Sequence, residues 1–320
     1  MVDVIALLLP FFGLILIGYV AARATGQPLE ALGWLNTFII YAALPALFFK
    51  LVSRTPIEEL TRIDFILGEI AAVYLVFTGA FLVGYVVRRN SFEDCTIQGF
   101  TAAYGNIGYM GPGLALLAFG DKAAVPVALI VCLENAAHFI MAPAMMALAG
   151  DDKRQLHLIV GSIAKKVALH PFILSTALGF AAAASGHQLP EPALKLVDYL
   201  AQAAAPCALF AMGVTLALRP VKRIPAELGY LAVLKLVFLP LSVYVVLSLV
   251  GDFGPVWMHA AMLLAALPTA ANVFVISQQY GVWQERASAS ILLITVASIV
   301  TLPIWLYIIS SGILPPDLFP

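Results

Sequence analysis

Residues 104–116 read YGNIGYMGPGLAL, and the stretches on either side of them are apolar. The run should therefore lie inside a membrane span. Yet it places four glycines and a proline between Gly105 and Gly113, with Asn106 among them. Proline lacks an N–H and clashes with the carbonyl four residues back, and each glycine weakens a helix by about 1 kcal/mol relative to alanine. A helix should open here. The freed N–H and C=O groups cannot face lipid, where each would cost several kcal/mol. They must meet other protein groups or a wet cavity.

The rest of the chain supports a membrane setting. Of 320 residues, 62% are apolar and 11% charged, and mean hydropathy is +0.99. A soluble chain is roughly 45–50% apolar and about 25% charged. The net charge of −1 offers no basic face for a nucleic-acid partner. Cys95, Cys132 and Cys207 are far apart, with neither metal-ligand spacing nor a disulfide framework. The first apolar run lacks a positively charged flank before it and is expected to be a retained helix rather than a signal peptide.

A crossing helix needs about 20 apolar residues. Ten candidates are found, near 3–22, 31–52, 64–87, 95–119 and 122–149, then 170–186, 192–217, 227–250, 256–281 and 287–310. Between the two sets, residues 151–169 start charged and end as an amphipathic interfacial segment carrying Lys165 and Lys166. The expected organisation is a first five-helix repeat over 1–150, a cytoplasmic linker over 151–169 and a second repeat over 170–320. Lys and Arg in alternate loops set the orientation. Eleven, from Arg23 to Arg286, fall on one side and four (Arg54, Arg62, Lys122 and Lys195) on the other. Both termini are expected on the non-cytoplasmic side, with the chain in the cell (inner) membrane.

Duplicating five spans yields two halves of opposite topology, the pattern of many secondary transporters. AALPALFF (42–49) and AAAPCALF (203–210) occupy equivalent places in the two halves. The partner of the fourth span is the ninth, and it too is interrupted: LPTAANVFVISQQYG, 267–281, holds Pro268 and Asn272. A pair of Gly/Pro-interrupted spans at matching positions points to a transporter's binding site. Glycines can also serve close helix packing, but that does not account for Pro112 and Asn106 together, or for the second break. In the first turns of two half-helices Pro112 and Pro268 would be tolerated. The N-terminal ends would suit an anion, with Asn106, Asn272 and Thr269 adding polar groups.

GNIGYMGPGLAL and ALPTAANVFVISQQYG resemble the two crossover segments of the auxin efflux carrier family, which includes plant auxin carriers and bacterial carriers of malate or malonate. PALFF in the second span and PCALFAMG in the seventh are similar to family patterns as well. The resemblance covers the whole chain. It implies an all-α membrane protein of ten transmembrane helices, built as two inverted five-helix repeats on a sodium/proton-antiporter-like, bile-acid-symporter-like fold. It further implies a scaffold of spans 1, 2, 6 and 7, a transport domain of spans 3–5 and 8–10, elevator-type alternating access and a homodimer. By this resemblance Asn106 matches the family's substrate-contacting asparagine and Pro268 its second crossover proline; with Gly108, Gly111, Pro112, Thr269 and Asn272, read from the breaks themselves, they are the expected substrate-binding residues. The family usually has Gly-x-Pro in span 4, whereas here the order is Gly111-Pro112-Gly113.

Ionisable residues inside spans are functional candidates by default. Glu134 and His138 share a helix face at i and i+4, with Asn135 beside them. Glu69 lies in the third span, Lys50 near the end of the second and Lys235 in the eighth. The family's polar support site implies Glu69 and Glu134 or Asn135, and the coupling set is completed by His138 and Lys50. Structural alternatives are an interfacial Lys50, a self-satisfied Glu134–His138 pair and a Lys235 that pairs with a carboxylate. Trp34, Trp257 and Trp283 read as interface anchors.

The expected function is a secondary carrier of small organic anions, coupled to protons or sodium. A sodium-coupled symporter of amphipathic anions, of the bile-acid type, stands as the alternative. A membrane enzyme or sensor is a third reading, disfavoured because no nucleophile–base constellation and no soluble output domain are visible. No metal, cofactor or Walker-type phosphate loop is expected.

Overall fold

The computed structural model describes residues 2–54, 62–149, 169–186, 189–218, 225–315 and 317–319. All regular structure among them is helical, apart from one isolated bridge between Gly105 and Thr269. The linker expected over 151–169 lies, but for Leu169, outside the described residues.

The helices are α1 (Val2–Thr25), α2 (Gly33–Phe38), α3 (Leu44–Ser53), α4 (Ile63–Leu82), α5 (Phe92–Ala103), α6 (Gly111–Phe119) and α7 (Ala124–Ala149). They continue with α8 (Pro171–Ser185), α9 (Glu191–Leu218), α10 (Glu227–Val233), α11 (Leu239–Val250), α12 (Gly254–Ala265), α13 (Asn272–Tyr280) and α14 (Gln284–Ser310). Seven continuous helical stretches among the described residues are long and apolar enough to cross a membrane. The expected sixth span is the shorter α8. The fourth and ninth are each split, into α5 with α6 and α12 with α13.

Two spans carry a π turn just before a proline. Ile39–Ala43 precedes Pro45, and Leu234–Phe238 precedes Pro240. Pro240 has no N–H to give the carbonyl of Leu236, four residues back. The indole N–H of buried Trp305 donates to that carbonyl instead, at 2.7 Å. The helix can therefore widen around Lys235 without leaving a bare acceptor in an apolar setting.

The chain divides into two compact units. Unit 1 comprises 1–62, 108–132 and 168–219, and unit 2 comprises 63–107, 133–167 and 220–320. One boundary falls between Ile107 and Gly108, inside the break of the fourth span; another falls within α7. Residues 108–132 thus group with the helices of spans 1, 2, 6 and 7.

In unit 1, α1 packs along α9 with no side chain between the backbones at two glycines. A Cβ on Gly18 would stand 2.2 Å from Phe210 O, and one on Gly213 would stand 1.9 Å from Ile15 O. Phe48 of α3 meets Phe172 of α8 edge to face at 5.3 Å.

In unit 2, Phe65 is buried against Phe253 and Trp257. Of the three expected tryptophan anchors, Trp34 is exposed, Trp257 packs on Phe65, and Trp283 is buried. An ion-pair knot joins the ends of three spans. Glu227, buried at the start of α10, accepts from Arg88 Nη2 and Arg286 Nη1, both at 2.9 Å. Glu227→Gln keeps the shape but removes the charge. It should lower the stability of unit 2 by about 1.5–3 kcal/mol, the range for hydrogen bonds to charged groups. A lower melting temperature of the purified protein checks this, and an unchanged one would show the knot to be energetically idle.

Candidate functional site

Both predicted breaks are present, and within unit 2 they cross. Helix α5 ends at Ala103, and Tyr104 turns the chain extended (φ −79°, ψ 99°). Helix α12 ends at Ala265, and α13 starts at Asn272. The two extended stretches pair antiparallel at Gly105 and Thr269. Asn106 N donates to Pro268 O at 2.8 Å, and Ala270 N donates to Tyr104 O at 3.0 Å. The Thr269 hydroxyl donates to Thr101 O at 2.8 Å. Much of the freed backbone is thereby satisfied by the other broken span, as burial in an apolar medium requires.

The sequence-expected site residues fall into two groups. Asn106, Pro268, Thr269 and Asn272 come together at this crossing in unit 2. Gly108, Gly111 and Pro112 belong to unit 1, where Gly111 and Pro112 form the first turn of α6. Gly108 has open space where a Cβ would be. Pro112 sits in a helix first turn as expected, but Pro268 does not. It lies in the extended crossing segment, four residues ahead of α13, because its carbonyl is held there by Asn106. Thr269 is fully buried, and its hydroxyl proton is taken by Thr101 O. Asn106 is buried; Asn272 is half-buried.

A buried polar cluster adjoins the crossing. His138 Nε2 lies 3.1 Å from Glu134 Oε1, and its Nδ1 lies 3.2 Å from the Tyr74 hydroxyl. The imidazole packs against the Tyr104 ring in a tilted pair, with centroids 4.1 Å apart. The Glu69 carboxyl neighbours that of Glu134, and Lys235 faces both. Lys235 is 0% exposed and donates to Ala265 O, on the last residue of α12, at 2.7 Å. Its ammonium is also 3.3 Å from where a Cβ on Gly105 would sit. A cation at a helix C-terminus meets the negative end of the helix dipole. Glu69, Glu134, Asn135 and His138 are thus brought together in one buried cluster. Lys50 is not among them: it pairs with Asp198 of α9 at 2.7 Å, in unit 1.

Two residues outside the expected set are central. Lys235 was open to a purely structural reading, and Tyr104 was passed over as part of the break. The Tyr104 hydroxyl donates to Asn135 Oδ1 and accepts from Asn272 Nδ2 at 2.7 Å, joining the crossing to the cluster.

Residues 3–306 match a family described as membrane transport protein. The chain belongs to this family, the auxin efflux carriers. It is 62% identical over 320 residues, the full length of both chains, to the "Putative malonate transporter" of Rhizobium meliloti. It is 24% identical over 310 residues to the "Uncharacterized transporter YfdV" of Escherichia coli, covering 94% of this chain and 96% of that one. It is 22% identical over 308 residues to the "Uncharacterized transporter MJ1031" of Methanocaldococcus jannaschii, covering 92% and 96%. The family and these relatives are transporters, not enzymes.

Proposed function

We propose that the protein is a secondary carrier of small organic anions, of malonate size, and that the anion is recognised at the crossing of the two broken spans. The observation that carries this reading is the antiparallel crossing in unit 2. It brings the asparagines Asn106 and Asn272 to one place, next to a half-helix N-terminus without a side-chain cap. Amide N–H groups and the open N–H groups of a first helical turn are donors suited to a carboxylate. Gly108, Gly111 and Pro112 enter the proposal through the chain: α6 begins five residues after Asn106, again without a side-chain cap. The name of the Rhizobium relative favours a dicarboxylate. In this proposal ten spans form two inverted repeats, and a transport domain of spans 3–5 and 8–10 moves with its substrate against a scaffold of spans 1, 2, 6 and 7. The protein acts as a homodimer with both termini outside the cytoplasm, in the cell membrane.

The test is uptake into proteoliposomes of labelled malonate, malate and indole-acetate under a proton gradient, a sodium gradient or none. Malonate accumulation is expected. A requirement for sodium, with a preference for bulkier amphipathic anions, would favour a bile-acid-type symporter. Uptake of no carboxylate under any gradient overturns the proposal. Asn106→Ala is expected to raise the KM for malonate roughly 10- to 100-fold, the loss of one hydrogen bond to a charged group. An unchanged KM removes Asn106 from the site.

A further inference from the structure

We propose that Tyr104 is a positioning residue, whose hydroxyl sets which way the Asn272 amide is turned and thereby tunes affinity for the carboxylate. This rests on the carrier reading above. A phenol has one proton to donate and lone pairs to accept with. Two amides flank it, from Asn135 and Asn272. In a buried site a hydroxyl proton without an acceptor is unfavourable, so one amide must turn its oxygen to the phenol and the other its NH2. The polarity observed is Asn272 Nδ2 to Tyr104 to Asn135 Oδ1.

The phenol itself cannot swing to accommodate a different arrangement. Tyr104 is 1% exposed and its ring is packed against His138. Its carbonyl is held by Ala270 N, two residues before Asn272. Main chain and side chain of Tyr104 thus grip the same short segment. Held by one N–H, the Asn272 amide has a second N–H in a fixed direction at the uncapped start of α13. A donor fixed in advance binds an anion without the loss of rotational freedom that a free amide would suffer.

The test is a double-mutant cycle on the full chain in proteoliposomes, with Tyr104→Phe, Asn272→Ala and the double variant. Phenylalanine keeps the ring contact with His138. Tyr104→Phe is expected to raise the KM for malonate about 2- to 13-fold, one neutral hydrogen bond's worth, with Vmax within about twofold of wild type. The double variant should be no worse than Asn272→Ala alone, because each change disables the same donor. Asn135→Ala frees the phenolic proton to turn toward Asn272 and should also raise KM. Multiplicative effects in the cycle, an unchanged KM in Asn135→Ala, or a Tyr104→Phe that lowers Vmax and melting temperature at constant KM would each overturn the assignment. Any of those results in a working malonate carrier leaves the carrier reading intact. A wild-type chain that takes up no carboxylate overturns both.

Discussion

Lys235→Met is expected to abolish transport and to destabilise unit 2. The ammonium is fully buried, donates to the end of α12, and faces two buried carboxyl groups. Methionine fills much the same volume but leaves the Ala265 carbonyl without this donor and Glu69 and Glu134 without their cation. Removing one partner of a buried ionic set typically costs about 3–5 kcal/mol. Expressed in the geometry of the crossing, such a loss corresponds to a rate or affinity change of roughly 100-fold or more. Lys235→Arg should fare little better. A planar guanidinium needs more room than a point ammonium, and the ammonium site abuts Gly105, where even a Cβ would be 3.3 Å away. Pairing Lys235→Met with Glu69→Gln removes one of the two carboxyl groups that Lys235 faces. That double variant should recover melting temperature more than it recovers uptake, because the donor to α12 is still missing. Near-wild-type uptake by Lys235→Met would show that the cluster is dispensable.

The location of the crossing was legible in the sequence because its causes are local. Four glycines crowded with a proline into residues 105–113 disfavour a helix from local sequence alone, and Pro268 marks the second break, whereas Pro143, Pro206 and Pro303 stand singly inside continuous helices. What each polar residue does there was less legible, because partners come from distant parts of the chain. Thr269 looked like a substrate hydroxyl, but Thr101 takes it from 168 residues away. Lys50 looked like a buried charge near the support site, yet its partner Asp198 lies in unit 1. Tyr104 carries no distinguishing mark beyond a hydroxyl at the last residue before Gly105. Its value lies in meeting Asn135 and Asn272 at once, which no spacing rule encodes. Pro268 was expected in a first helical turn because proline is tolerated there. The crossing uses it earlier, where its carbonyl can pair with Asn106 and its missing N–H leaves nothing unsatisfied.

Gly213→Ala should be as severe for folding as Lys235→Met is for transport, although it adds a single methyl group. At Gly213 the added carbon would stand 1.9 Å from Ile15 O and 2.9 Å from Tyr19 N, where real Cβ atoms stay beyond 3.0 Å. Both obstacles are backbone, so no side chain can rotate aside, and α1 must move off α9 by about 1 Å or more. Between membrane helices, association depends on such close packing rather than on a hydrophobic driving force. The added bulk should cost at or above the usual range for overpacking, about 1–3 kcal/mol. Gly18→Ala presses on the same seam from the other helix, 2.2 Å from Phe210 O. Once one substitution has separated the helices, the second finds space already made, so the double variant should be less destabilised than the sum of the singles. Gly229→Ala in α10 is the control: nothing lies within 4 Å of its Cβ, and alanine's helix propensity favours it by up to about 1 kcal/mol. Yield of monodisperse protein in detergent and its melting temperature read all four variants. Wild-type values for Gly213→Ala would mean that α1 and α9 do not meet backbone to backbone in the membrane.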